Sequence, residues 1–362
     1  MEKYKKIVIK VGTKVITSKD RTLDTYKMKE MVGQIADILD RGSKVILVTS
    51  GAIGAGMGLL GLKRRPDDLS RLQAAASIGQ SYLMQIYNEY FKSRGYISGQ
   101  ILLTQEDFND RKRYLNIKHT IDKLLEYNAV PVINENDTVA TDEIKCGDND
   151  RLSSLVSDLC QADLLMLLTD VEGLLDEEGN CVRFVGEITP KISKLAVARP
   201  CDLGTGGMAT KLESVKAAMG AGVDCVIANG RIKDIILKIT KGEAVGTTFK
   251  SQKARFIAKK RWIAFSSKPK GAIRIDDGAR LALLEKDKSL LASGISAVSG
   301  DFKSGDVVSI LDSTGAEIAR GVVGYSSEEV SKIKGMRSGK FSSVLGYGGR
   351  DEVIHKDNLV LL

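Results

Sequence analysis

Histidine is almost missing from this chain: His119 and His355 are the only two in 362 residues. They stand far apart in sequence, so a His-based triad or a histidine metal centre is not expected, and both read as isolated surface residues. Cysteine is scarce and scattered. Cys146, Cys160, Cys181, Cys201 and Cys225 are odd in number and never spaced as CxxC, which argues against a disulfide framework or a structural zinc site. No apolar run is long enough to span a bilayer, and no apolar signal segment follows the N-terminal MEKYKK. The expectation is a cytoplasmic protein without a membrane role. There is no GxxxxGK[ST], so a Walker-type phosphate loop is excluded. Low-complexity segments and clear internal repeats are also lacking.

The chain is long enough for two domains, and 43% hydrophobic with 28% charged residues fits a soluble globular protein. Its net charge of +8 is uneven. From Ser251 to Leu362, Lys and Arg number 19 against 13 Asp and Glu, which leaves only +2 for the first 250 residues. A near-neutral first part joined to a basic second part suggests two domains with different work.

Hydrophobic patterning fills in the first part. Lys5 to Val11 reads as a strand, Tyr26 to Arg41 as an amphipathic helix closed by Gly42, and Lys44 to Thr49 as a second strand. This βαβ unit predicts a parallel sheet. Leu69 to Arg94 reads as a long helix with a break near Gly79, Ile97 to Leu103 as a strand, and Leu115 to Tyr127 as a helix. Val130 to Ile133, Leu164 to Leu168 and Asp224 to Ala228 are further strands. Leu164 to Leu168 is apolar throughout, as in a strand covered on both faces. The fold class expected is α/β, a three-layer αβα sandwich over a mostly parallel sheet spanning 1–252. Residues 253–270, with seven basic residues, no acidic one and the single tryptophan Trp262, read as a basic linker. Residues 271–362, with short β-type runs between Gly and Asp turns, read as a small β-rich domain.

The stretch that organises the rest is Val130 to Arg151. A buried-type strand opens into Asn134, Glu135, Asn136, Asp137, Asp142, Glu143, Asp148, Asn149 and Asp150, ahead of the apolar run LSSLVSDLC. Carboxylates and amides at a strand end and a helix start mark a ligand site in open α/β sheets; a solvated loop is the alternative. Gly204 to Lys211 (GTGGMATK) gathers backbone N–H groups, a helix start and a lysine, as an anion site requires, or is simply a surface turn. Gly56 to Gly61 matches GxGxxG, but no acidic residue stands about twenty positions on, so close backbone packing is the better reading. Lys10 lies inside an apolar strand. It needs a partner there, because an unpaired buried charge is unfavourable, unless the strand is an edge.

Two lysines, Gly turns and an acidic pocket, without histidine or a reactive-looking cysteine, suit phosphoryl transfer to a carboxylate. A carboxylate is ionised at neutral pH and needs no general base. Lysines and Mg2+ would offset the repulsion between two anions, and a pocket acid such as Asp137 would suit an ammonium group on the substrate.

Taken in order, Lys10-Val-Gly-Thr, Ser50-Gly-Ala, Asn134-Glu-Asn-Asp137, Gly147-Asp-Asn-Asp150, Thr169-Asp170-Val-Glu-Gly and Thr205-Gly-Gly-Met-Ala-Thr-Lys211 resemble the amino-acid kinase family. Their spacing most closely resembles the bacterial branch that phosphorylates the side chain of L-glutamate at the start of proline synthesis. Thr13 stands where many relatives have serine and keeps the hydroxyl. The tail, with Asp276-Asp-Gly-Ala279, Ser289-Leu-Leu, Gly294-Ile and Gly305-Asp-Val-Val, resembles a PUA domain. The resemblance implies that Lys10 and Lys211 stabilise the transferring phosphoryl group, with Asp150 holding both. It implies glutamate contacts from Ser50, Asp137 and Asn149. It also implies ATP contacts from Lys10, Thr169, Asp170, Thr205, Gly206, Gly207, Met208, Ala209, Thr210 and Lys211. Feedback by L-proline, homo-oligomers and handover of a labile product to glutamate-5-semialdehyde dehydrogenase are implied as well. The alternatives are a sister kinase for another carboxylate or carbamate, or an RNA-binding protein that has kept a kinase-like body and uses its basic tail. The kinase reading requires the amines of Lys10 and Lys211 to converge on one cavity.

Overall fold

The computed structural model describes residues 4–18, 22–139, 148–197, 207–251, 262–263, 269–286, 288–347 and 351–362. The chain divides into two compact units, Met1–Arg255 and Phe256–Leu362. The first begins with β1 (Lys6–Val11), a single turn α1 (Thr13–Ile16), α2 (Thr25–Asp40), β2 (Lys44–Val48), α3 (Ala52–Leu59) and α4 (Leu69–Ser93). Next come β3 (Ile97–Leu103), α5 (Gln105–Asn109), α6 (Arg111–Glu126), β4 (Ala129–Glu135), α7 (Asp148–Cys160) and β5 (Leu164–Thr169). The unit closes with β6 (Phe184–Val185), α8 (Pro190–Val197), α9 (Met208–Gly220), β7 (Asp224–Asn229), α10 (Ile235–Lys241) and β8 (Thr247–Phe249).

These strands form one eight-stranded sheet in the order β3-β4-β2-β1-β5-β7-β8-β6. All pairs from β3 to β7 are parallel, and only β7 with β8 is antiparallel. Parallel strands point their C-terminal ends to one edge of the sheet. Thr49-Ser50, Asn134-Glu135, Thr169-Asp170 and the residues after Val11 therefore gather on that edge.

Side-chain alternation sorts the two faces. Ile7, Ile9 and Val11 of β1 join one apolar cluster with Met28, Ile35, Leu83, Phe91 and Ile236 from α2, α4 and α10. Val8 and Lys10 must then face the opposite layer, where α7 packs on β1 and β5 between α6 and α9. The result is the expected αβα sandwich. β1 lies between β2 and β5 in the sheet interior, so Lys10 is not on an edge strand.

The long helix is a correction to the sequence reading: α4 runs unbroken through Gly79. Gly79 is there because two helices cross closely, not because one ends. A Cβ on Gly79 would stand 1.8 Å from the Ala52 carbonyl oxygen, and one on Gly56 would stand 1.8 Å from that of Ala75. The GxGxxG stretch is thus mostly the body of α3, pressed backbone to backbone on α4, as its packing interpretation expects. The helical nature of α3 went unseen because Gly54, Gly56 and Gly58 read as turn residues. The strands β6 and β8 have only two and three residues, too few to carry a periodic signal.

The second unit holds a five-stranded sheet of β9 (Gly271–Ile275), β10 (Ile295–Gly300), β11 (Val307–Leu311), β12 (Glu317–Val322) and β13 (Leu359–Leu361). Their order is β10-β9-β11-β12-β13. Ile273, Phe302, Val308, Ile310, Tyr325 and Phe341 anchor its separate core. Among the described residues, three helices punctuate the expected β-rich pattern, α11 (Asp277–Lys286), α12 (Ser327–Ile333) and the short α13 (Phe341–Leu345). Asp276 reads as a turn residue but caps the first of them, accepting from the Ala279 N–H at 2.7 Å. Ser326 and Glu329 form a capping box on the second. Among the described residues, no helix is long and apolar enough to cross a membrane.

The helix crossing gives the first testable outcome. Gly to Ala in a helix interior ordinarily adds about 1 kcal/mol of stability. At Gly79 the carbonyl of Ala52 blocks the methyl, so Gly79→Ala is expected to lose about 1–3 kcal/mol, as overpacked interiors do. A urea titration reads the sign: a lower midpoint supports the crossing, and a raised one contradicts it.

Candidate active site

Asp150 lies in the first turn of α7 and is almost completely buried, at 1% exposure. A carboxylate so placed must be compensated. Lys10 Nζ from β1 lies 2.5 Å from Asp150 Oδ1, and Lys211 Nζ from the first turn of α9 lies 3.3 Å from Oδ2. Both lysines are buried, at 7% and 8%. Burial by itself raises the Asp150 pKa. The charges of Lys10 and then Lys211, with their hydrogen bonds, outweigh it and hold the carboxyl below its ordinary value. The N-terminal end of α7 favours the anion further. The two amines therefore meet at one carboxylate, as the sequence reading required.

Next to this trio runs a chain of amides. Asn149 Nδ2 donates to Ser50 Oγ and to Asn134 Oδ1, both at 3.1 Å. The Glu135 backbone N–H donates to Asn134 Oδ1 at 2.9 Å and to Asn149 Oδ1 at 3.2 Å. Asn134 Nδ2 in turn donates to Gln80 Oε1 at 2.8 Å. Ser50 is set by its strand end: the preceding Thr49 hydroxyl bonds the buried Tyr87 hydroxyl at 2.8 Å. Burial pushes the Tyr87 phenol up to about 12, against the opposing Thr49 hydrogen bond, so it stays protonated. Asp137, half-buried, lines a small cavity with Gln80, Glu135 and Thr138.

A third group of residues lies at the end of β5. Thr169 Oγ1 donates to Asp170 Oδ1 at 3.1 Å, and Lys14 Nζ pairs with Asp170 Oδ2 at 2.9 Å. Partial burial tends to raise the Asp170 pKa, but hydrogen bonds led by Lys14 bring it below its usual value. Gly207 caps α9, and Met208, Ala209, Thr210 and Lys211 form its first turn. The Thr210 hydroxyl donates to the Gly207 carbonyl at 2.8 Å. Thr205 and Gly206, together with Asp142 and Glu143, lie outside the described residues.

Lys10, Asp150 and Lys211 are thus one cluster, and Ser50, Asn149 and Asn134 are a second, joined to it through consecutive residues of α7. Gln80 is a participant that the sequence reading did not single out. Its signal was a polar residue on the buried stripe of α4, between Ala76 and Leu83. Lys14, paired with Asp170, is a second participant that the sequence reading did not single out. Among the described residues, no group of three or more His, Cys, Asp or Glu gathers as a metal-holding cluster. Cys160, Cys181 and Cys225 are free thiols, and burial pushes Cys160 up to about 12. Trp262 is 3% exposed, so its indole is not a stacking surface for bases. Most of the basic run 253–270 lies outside the described residues.

Comparison with known proteins adds an independent finding. The model of the "Amino acid kinase family" matches residues 5–229, and that of the "PUA domain" matches residues 271–345. A protein of Caldanaerobacter subterraneus subsp. tengcongensis named Glutamate 5-kinase is 48% identical, covering 99% of this chain and 98% of the relative. Like-named proteins of Thermoanaerobacter sp. strain X514 and Moorella thermoacetica are 47% and 44% identical. They cover 99% and 100% of this chain and 98% and 97% of their own lengths.

Replacing Asp150 by Asn is expected to remove the carboxylate that two buried ammonium groups share and to lower stability by about 3–5 kcal/mol, the usual effect of removing one partner of a buried pair. The pH dependence has a fixed sign. Asp150 titrates lower in the folded chain than its ordinary 3.8, so its contribution is complete above that value and is lost as pH falls through the folded value. Denaturant melts of Asp150→Asn and the parent chain should therefore differ fully at pH 7 and converge below about pH 4.

Proposed function

The chain belongs to the amino acid kinase family, and on that premise we propose that it transfers the γ-phosphoryl group of ATP to the side-chain carboxylate of L-glutamate. The products are L-glutamyl 5-phosphate and ADP, and the step is the first of proline biosynthesis. The observation that carries the reading is the pair of buried lysines sharing Asp150 next to the Asn149–Ser50–Asn134 chain. The near full-length likeness to proteins named Glutamate 5-kinase supports the choice of acceptor.

The chemistry follows from charge. A glutamate side chain is ionised at neutral pH and attacks phosphorus without a base. As the new O–P bond forms, the bond to the β-phosphate oxygen breaks and ADP leaves with its electron pair. The barrier is repulsion between a carboxylate and a polyphosphate. Two unit charges 4 Å apart interact by about 4 kcal/mol at an effective dielectric of 20, so each ammonium near the transferring group offsets a term of that order. An ammonium carries three N–H donors, and its bond to Asp150 takes one. Asp150 is therefore a positioning residue: it holds Lys10 and Lys211 aimed while they donate to phosphoryl oxygens. Mg2+ bound together with the nucleotide would supply further charge neutralisation at the phosphates.

Ser50 and Asn149 hold the acceptor, and Asp137 takes its ammonium group. Thr169, Asp170 and the Thr205, Gly206, Gly207, Met208, Ala209, Thr210 and Lys211 turn, with Lys10, hold ATP. In this reading the kinase body runs over 1–252, a basic linker over 253–270 and the PUA-like tail over 271–362. The enzyme is cytoplasmic and assembles as a homo-oligomer. An acyl phosphate hydrolyses readily, which favours handover to glutamate-5-semialdehyde dehydrogenase. L-Proline, which carries the same α-carboxylate and an α-ammonium, feeds back at or near the acceptor pocket.

Coupled ADP-release assays with glutamate, aspartate, N-acetylglutamate and carbamate test the acceptor. Glutamate should be turned over best, and turnover of another acid without glutamate would refute the reading. Lys10→Ala and Lys211→Ala should each lower kcat by about two to three orders of magnitude, as loss of a transition-state donor does. Asp137→Ala should raise KM for glutamate well beyond any change in KM for ATP; equal rises would contradict its role.

A further inference from the structure

One group that cannot rotate fixes the polarity of the amide chain. A backbone N–H can only donate, so the Glu135 N–H identifies the atom of Asn134 that it meets as the oxygen. The Asn134 atom 2.8 Å from Gln80 is then the nitrogen, and the Gln80 atom that accepts from it is Oε1. Gln80 Nε2 is thereby turned away from the chain. It is buried, and it has no hydrogen-bond partner among the described residues. Gln80 itself is only 9% exposed and lines the small cavity that Glu135 and Asp137 also line. Buried amide donors are rarely left unmatched, because water is lost without replacement. Ala76, Leu83 and Met84, one turn either side of Gln80 on α4, are apolar, and the Asn134 bond engages only the Oε1 end of the amide.

We propose that Gln80 Nε2 donates to the α-carboxylate of bound glutamate, as a specificity-determining residue that completes the acceptor pocket. This assignment rests on glutamate being the acceptor. The reacting carboxylate belongs at the Lys10–Asp150–Lys211 end. Gln80 is reached from there through Asn149 and then Asn134, so it stands at the far end of the amide chain, where the α-substituents lie. Glu135 and Asp137 line that end too and suit the ammonium group. A neutral donor at position 80 gives the α-carboxylate its own partner among those acids.

The test uses the full chain and two substitutions. Gln80→Glu keeps an oxygen for Asn134 and removes the donor; Gln80→Met removes both at similar volume. KM and kcat are measured for glutamate and ATP. L-Isoglutamine, whose α-carboxylate is an amide, is measured as substrate or competitive ligand. Both variants should show KM for glutamate raised about 10- to 100-fold, the range for a lost hydrogen bond to a charged group, with KM for ATP within about twofold. The parent's preference for glutamate over isoglutamine should largely disappear. Unchanged KM for glutamate in Gln80→Glu would overturn the proposal. So would an equal loss for both ligands with the preference intact, which is the signature of a structural role. If Gln80→Met does not fold, Gln80→Glu decides alone. A parent enzyme that fails to turn over glutamate would overturn the acceptor reading and this assignment together, whereas the variant outcomes bear on Gln80 alone.

Discussion

A single carboxylate shared by two ammonium groups governs this molecule. Asp150 is buried at the start of α7, and it pairs with both Lys10 and Lys211 in the interior, where an uncompensated charge is unfavourable. The three come from different elements: a central strand, the first turn of α7 and the first turn of α9. The parallel part of the sheet, β3 to β7, brings them together because the C-terminal ends of those strands open on the same edge. The face that Lys10 takes follows from strand alternation, which turns Ile9 and Val11 toward α2 and turns Lys10 toward α7. Fold and chemistry are thus linked at one residue. Under the proposed function, the same ion contacts that allow the chain to bury these charges would hold two cations ready for an anionic reaction.

The second layer of order is neutral. Asn149, Asn134 and Gln80 link hydrogen bonds from the first turn of α7 across to α4, anchored by the Glu135 backbone. Satisfied polar networks in a buried setting are rigid, since breaking one link leaves groups that water cannot reach. Asn149 and Asp150 are adjacent on α7, so the charged cluster and the amide chain share one anchor.

Much of this was readable in the sequence, for identifiable reasons. Lys10 stood out because a lysine in the run KIVIKV breaks the apolar pattern and demands a partner. The strand end at Asn134 and the helix start at Asn149 were visible because polar clusters follow buried-type runs. Lys211 was visible because glycines precede it. Gln80 was not, since one polar residue on a 25-residue helix resembles any solvent-facing glutamine until the packing partner is known. The glycine at position 79 misled for the opposite reason: helix breaking and close packing leave the same mark in a sequence. In the tail, Asp276-Asp277-Gly278 carries the composition of a turn yet starts a helix, because capping and turning use the same side chains.

The crossing of α3 on α4 reaches beyond stability. Ser50 stands just ahead of α3, and Gln80 directly follows Gly79 on α4, so the seam between backbones fixes the span from one to the other. At Gly56 and Gly79 the nearest atoms across the seam are backbone, which cannot swing aside as a side chain can. Under the proposed function that seam would act as a spacer beneath the acceptor pocket, with chain-length preference depending on the two glycines that let the backbones meet.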